Sequence, residues 1–181
     1  MTSDSQDRPD CRHKIFGVTG WKNSGKTTLA TAIISNLSER GYKVSSVKHA
    51  HHECDIDKEE TDSFRHRQAG SGEVALVAAG TRWAIMHECR NNEEPRLMDI
   101  LARLSPCDLV IVEGYKAEPF PKIEVRRMAA ANRDPIAPHD PFIKAIASDC
   151  PDGDELADGL PHFHLDDIEA ICNLIINMLD I

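Results

Sequence analysis

An apolar run, KIFGVT at residues 14–19, leads straight into the turn-forming stretch GWKNSGKTT at 20–28, and that stretch leads into helical spacing. The run reads as a buried strand. From Lys26 the apolar positions Leu29, Ile33 and Leu37 recur every four residues until Gly41 stops the helix. YKVSSVKH, residues 42–49, then resumes as a second strand. Strand, glycine turn, helix and strand in about 35 residues form a βαβ unit, whose two strands lie parallel and whose crossover is right-handed. A parallel sheet with its helices packed on it is the expected consequence.

The rest of the chain extends that plan. DSFRHRQAG, 62–70, reads as a short helix capped by Thr61 or Asp62 and ended by Gly70. EVALVAAG and RWAIMHEC are β-like runs split at Gly80-Thr81, which suits a hairpin whose edge could meet a second subunit. Pro95 suits the first position of a helix carrying Leu97, Ile100, Leu101 and Leu104 inward. CDLVIVEGYK, 107–116, is continuous enough for a central strand buried on both faces. Residues 115–141 hold Pro119, Pro121, Pro135, Pro138 and Pro141 and read as a mobile, partly ordered segment with one strand, KIEVRR. FIKAIAS supplies another strand, and Asp166 and Asp167 are placed to cap a last helix that packs Ile168, Ile171, Ile175 and Leu179. The expected fold class is α/β: a three-layer P-loop fold with a mainly parallel sheet and an added β-hairpin. Residues 1–12 read as a disordered tail and 13–181 as a single domain.

Charge narrows the partners. With 30 acidic against 21 basic residues and a net charge of −9, a long groove for nucleic-acid phosphates is not expected, and any basic site must be local. The six cysteines form no CxxC pair, so neither a disulfide framework nor a zinc ribbon is indicated and a reducing cytoplasm fits. The polar opening MTSDSQDRPDCRH has no signal-peptide apolar run, and no apolar stretch is long enough to span a membrane.

Gly20, Gly25, Lys26 and Thr27 satisfy GxxxxGK[ST] at the strand-to-helix junction where that pattern carries meaning. Glycines let backbone amides turn inward without Cβ clashes, and the helix start adds positive potential. Lys26 would reach the β- and γ-phosphates of a nucleoside triphosphate, and Thr27 would ligate Mg²⁺. The cradle is expected to run through Gly20, Trp21, Lys22, Asn23, Ser24, Gly25, Lys26, Thr27 and Thr28. Glu113, at the tip of LVIVE, stands where such folds place a second acidic group that serves magnesium or orients attack.

Asp55, Asp57 and Asp62 follow the second strand, where magnesium-linked or water-positioning groups and switch segments occur; Asp55 is the candidate base. His49, His51, His52 and Cys54 carry ligand types suited to zinc or nickel, at irregular spacing. Arg65, His66 and Arg67 could grip a phosphate or face solvent. No NKxD tetrad is present, and Asp149 is the carboxylate positioned to read a base.

With the glycine loop, VKHAHHECDID, DSFRHRQAG and VIVEGYK in this order, the chain resembles the molybdopterin-guanine dinucleotide biosynthesis protein B family, MobB, from about residue 14 to 150. That resemblance implies a homodimeric, GTP- and Mg²⁺-binding protein with weak hydrolysis. It would assist a MobA-like molybdopterin guanylyltransferase, with molybdopterin itself a further candidate ligand. By the same resemblance Gly20 to Thr28 would contact GTP, Thr27 and Glu113 would serve magnesium, and Asp62 to Arg67 would lie near the cofactor-facing surface. Two departures stand out: KEETDS puts acidic residues where members often carry a Pro-Gly-Lys-like turn, and Trp21, followed by Lys22, replaces a lysine found after the first loop glycine in the wider class.

In the leading reading, the γ-phosphate orders residues 49–70 to present a partner or cofactor, and hydrolysis resets the device. Two other readings stay open. A small-molecule kinase would use Asp55 as base and Arg126, Arg127 and Arg133 as lid residues. A nickel metallochaperone GTPase would use the cluster from His49 to Cys54.

Overall fold

The computed structural model describes residues 13–50, 57–89, 93–150 and 159–181. These residues gather into two compact units, one holding the described chain up to His49 together with Ile100–Ile181, the other Ala50–Asp99.

In the first unit the opening run forms β1, Lys14–Gly20, followed by α1, Lys26–Glu39, and β2, Val44–Lys48. The βαβ expectation holds, with one refinement. β1 and β2 are not neighbours, because β5 (Leu109–Glu113) lies between them and pairs in parallel with both. β6 (Lys122–Arg126), β7 (Ile143–Ser148) and β8 (His162–His164) continue the sheet on the other side, giving the order β2-β5-β1-β6-β7-β8 with every pairing parallel. The helix α4, Ile168–Leu179, closes the unit.

One face of this sheet, built by Phe16, Val18, Leu109, Ile111, Ile123, Val125, Ala145 and Ala147, packs against Leu29, Ile33 and Leu37 of α1 and Ile171 and Ile175 of α4. The fourfold spacing read from the sequence is therefore the buried stripe of α1. Each such aliphatic side chain contributes roughly 1.5–3 kcal/mol by leaving water. Asp167 does sit at the N-cap of α4, but its side chain caps no amide of that helix; it accepts the His164 N–H instead, at 3.3 Å.

The opposite face carries polar groups in a core strand. Lys122 and Glu124 of β6 are 0% and 1% exposed. The Lys122 ammonium donates to Asp140 Oδ2 and to the Lys116 carbonyl, each at 2.6 Å. Glu124 accepts the Ile136 and Ala137 amides at 2.9 and 2.8 Å and the Arg126 guanidinium at 2.9 Å. These bonds correct the reading of 115–141 as a mobile segment: β6 is a central strand, and its two buried charges tie down the proline-bearing connection that follows. β8, only three residues long, had no sequence expectation.

In the second unit α2, Asp62–Gln68, starts at Thr61, whose hydroxyl accepts the Phe64 amide at 3.3 Å. β3 (Glu73–Ala78) and β4 (Arg82–His87) form the expected antiparallel hairpin as a separate two-stranded sheet. Its cross-strand pair Val77 and Trp83 is 71% and 69% exposed. The helix α3, Leu97–Leu101, spans the boundary of the units and is shorter than expected. Pro95 precedes it by two residues, and Leu104 falls beyond its end. Among the described residues no helix is long and apolar enough to cross a membrane.

Candidate nucleotide site

The loop between β1 and α1 lies at the C-terminal edge of the parallel sheet, where α/β folds bind ligands. Two glycines explain its path. Gly20 has φ 150°, and a Cβ there would fall 2.6 Å from both Ser24 Oγ and the Val125 carbonyl, so only glycine fits. Gly25, at φ 94°, is the N-cap of α1 and brings no capping side chain, so the first-turn amides of the helix have no side-chain acceptor there. Asn23 at φ 63° completes the bend.

Lys26 arches back over the loop and donates to the Trp21 carbonyl at 2.6 Å. Burial lowers its pKa first, the Lys116 and Lys48 cations lower it further, and Glu113 works the other way. Its ammonium is thus held among like charges, an arrangement that an anion would relieve.

The next residue joins the second motif. Thr27 donates its hydroxyl to Glu113 Oε1 at 2.7 Å, and Lys48 donates to Thr27 Oγ1 at 3.1 Å while lying 3.3 Å from the same Glu113 oxygen. β5 carries Glu113 between β1 and β2, in register with Lys48, which is why residues far apart in sequence share one point.

On the other side of the loop, Trp21 donates its indole N–H to the Asp134 carbonyl at 2.6 Å, and the Lys116 ammonium stands 3.9 Å from the centre of its ring. Burial also lowers the Lys116 pKa. Arg127, just past β6, brings its guanidinium beside Gly25 and lies 3.7 Å from Asp149 Oδ2. Asp149 Oδ1 accepts the Met128 amide at 2.7 Å.

The structure thus brings Lys26, Thr27 and Glu113 together, with Gly20 to Thr28 forming one continuous loop and helix start; Lys22, Asn23, Thr27 and Thr28 are exposed. Asp149 sits across the loop from Glu113, engaged with Arg127 and Met128. Lys48 and Lys116 have no expected site role in the sequence, and Arg127 has one only as a lid residue in the kinase reading; the one signal for the loop-side placement of all three is position at or just past the C-terminal end of a strand.

Asp55, His51, His52 and Cys54 lie outside the described residues. Among the described residues no group of three or more His, Cys, Asp and Glu gathers as a metal site. His49 stacks on Tyr115 with ring centres 4.6 Å apart, and its amide donates to the Glu113 carbonyl at 2.9 Å. In the second unit Asp57 accepts hydrogen bonds from Thr61 and Ser63, at 3.1 and 2.9 Å, and pairs with Arg67 at 3.2 Å. Burial opposes its charge, but the Ser63 and Thr61 hydroxyls and the Arg67 cation outweigh it and hold the carboxyl below its usual range. Arg67 also reaches Glu88, whose hydrogen bond is the largest cause raising its pKa. Asp57 and Arg67 therefore brace the start of α2. Asp62 and Arg65 form an exposed pair at 3.9 Å.

The donor set at the loop fits a nucleotide polyphosphate and a hard divalent cation. Ser24 Oγ is buried without a hydrogen-bond partner among the described residues, the first turn of α1 has no side-chain cap, and a hydroxyl meets a carboxylate, oxygen donors of the kind a hard cation takes.

A parallel sheet with a GxxxxGK[ST] loop between its first strand and helix, and an acidic strand tip against the loop threonine, defines the P-loop NTPase fold class. The family model described as molybdopterin guanine dinucleotide synthesis protein B matches residues 15–149. The chain belongs to this MobB family. Over 140 residues it is 41% identical to the molybdopterin-guanine dinucleotide biosynthesis adapter protein of Haemophilus influenzae, covering 76% of this chain and 75% of that one. Identity to the adapter protein of the same name from Escherichia coli is 33%, over 91% of this chain and 93% of that one. The crystal structure of Bacillus subtilis MobB superposes with a TM-score of 0.70 at 28% identity, covering 92% of this chain and 98% of that one.

Proposed function

We propose that this MobB-family chain is an adapter protein of molybdopterin-guanine dinucleotide biosynthesis that binds GTP with Mg²⁺ at the loop of residues 20–28. It acts as a homodimer beside a MobA-like guanylyltransferase in the cytoplasm, with slow hydrolysis of the nucleotide. The observation that carries the nucleotide part is the 2.7 Å hydrogen bond from Thr27 to Glu113, which joins the glycine loop to the acidic strand tip.

Each residue has a definable task. The amides of residues 20–28 and the start of α1 receive phosphate oxygens, and Lys26, already among cations, neutralises the β- and γ-phosphates. Thr27 would hold Mg²⁺ directly and Glu113 through water or through the threonine hydroxyl; the ion would supply charge neutralisation for the phosphates. Lys48 holds the Glu113 carboxylate in place from 3.3 Å. Asp149 and Arg127 serve the far end of the ligand. The exposed apolar residues Val77, Trp83 and Ile85 of β3 and β4 support self-association, since such a patch is a docking surface.

Calorimetric titration with GTP and Mg²⁺ tests the reading. The wild-type chain is expected to bind, and Lys26→Ala to lose binding by about a hundredfold while keeping its circular dichroism spectrum, on the order of the ~3 kcal/mol of one charge-assisted contact. Absence of GTP heat in the wild type sinks the nucleotide reading.

A further inference from the structure

We infer that Arg127, positioned by Asp149, is the residue that recognises the nucleoside end of the nucleotide, its guanidinium forming a flat platform for the base. The inference rests on the proposed GTP site and deepens it.

The sheet order sets the direction of the ligand. β1 carries the loop, with β5 on one side and β6 then β7 on the other. Glu113 and Lys48, at the ends of β5 and β2, meet Thr27 and so mark the metal and terminal-phosphate end. A nucleotide laid along this edge runs its sugar and base over the ends of β6 and β7. Arg127 and Asp149 stand there.

Geometry and charge assign the role. A Cβ on Gly25 would lie 3.6 Å from Arg127 Cζ and 3.7 Å from both Nε and Nη1. Near-equal distances to three atoms of the guanidinium mean that one of its faces is turned to the loop, so the opposite face is turned away from it. The Asp149 carboxylate lies at the Nε edge, and that carboxylate is itself fixed by the Met128 amide. Paired with a carboxylate, Arg127 brings little net charge to a polyphosphate that Lys26 and the loop amides already serve. A planar, weakly hydrated group keeps its stacking capacity when an edge is paired, which suits an uncharged heterocycle. At 41% exposure the side chain is accessible from solvent.

Titrations of the full chain with GTP, GDP and inorganic tripolyphosphate, each with Mg²⁺, test the assignment. Arg127→Ala is expected to weaken GTP and GDP by about tenfold or more and to leave tripolyphosphate within about twofold, because the platform for the base is lost while the phosphate donors remain. Arg127→Lys, which keeps charge but not the plane, is expected to fail to restore GTP affinity, and Asp149→Asn to show a smaller loss. Unchanged GTP affinity in Arg127→Ala, an equal loss for tripolyphosphate, or full recovery in Arg127→Lys each overturns it. A wild-type chain that binds neither GTP nor tripolyphosphate removes the nucleotide site itself, an outcome separate from any behaviour of the Arg127 variants.

Discussion

Thr27 and Glu113 are 86 positions apart in the chain, yet the threonine hydroxyl donates to the glutamate carboxylate at 2.7 Å. The contact exists because β1 and β5 are parallel neighbours, with Val18 in register with Glu113. It turns two separate motifs into one polar point, with Lys48 as the third member.

Thr27→Ala is expected to bind GTP with little or no gain on adding Mg²⁺, whereas the wild type gains about tenfold, or ~1.4 kcal/mol. Isothermal titration in EDTA and in Mg²⁺ measures both states. A Mg²⁺ gain undiminished in the variant would mean that the metal is held elsewhere.

Lys26 sets a pH dependence. Burial and the cations of Lys116 and Lys48 place its folded pKa below the ordinary 10.5. Between the folded and unfolded pKa the unfolded chain holds more protons, so stability rises with pH through that window; the cost of the crowded ammonium is fully present below it. Phosphate would pull the pKa back up. GTP binding is therefore expected to take up protons at alkaline pH just under 10.5, seen as heats that vary with the ionisation enthalpy of the buffer and shrink in Lys26→Ala. Heats independent of buffer across that range would contradict the charge crowding.

The hairpin yields a prediction about assembly. Val77→Asp with Trp83→Glu removes the most exposed apolar cross-strand pair and is expected to convert a dimer to a monomer in sedimentation equilibrium, leaving the circular dichroism spectrum unchanged. A wild-type chain that sediments as a monomer at tens of micromolar dismisses the dimer.

Glu124 bears on stability. It is 1% exposed and accepts the Ile136 and Ala137 amides and the Arg126 guanidinium. Glu124→Ala strands those donors and is expected to cost about 3–5 kcal/mol, or roughly 6–20 °C in melting temperature for a chain of this size. Differential scanning calorimetry reads it directly; a shift below about 2 °C would show that the connection after β6 does not depend on this carboxylate.

Local pattern carried much of this molecule. The glycine loop is contiguous, so its GxxxxGK[ST] pattern at a strand-to-helix bend is legible in nine residues, and the stripe Leu29, Ile33 and Leu37 is a property of one helix. The short helix cap at Thr61 and the split of β3 from β4 at Gly80-Thr81 are likewise local, as is the run LVIVE that ends in Glu113.

Strand order belonged to the tertiary structure alone, because pairing partners are chosen by the burial of whole faces and not by neighbouring residues. Placing β5 between β1 and β2 set Lys48 and Glu113 on Thr27, and placing β6 and β7 beyond β1 set Arg127 beside Gly25 and Asp149 beside Arg127. The same cause hid the central place of β6: KIEVRR reads as a strand, but its Lys122 and Glu124 look like surface residues in sequence, and they are buried because Asp140, the Lys116 carbonyl, the amides of Ile136 and Ala137 and the Arg126 guanidinium satisfy their charges.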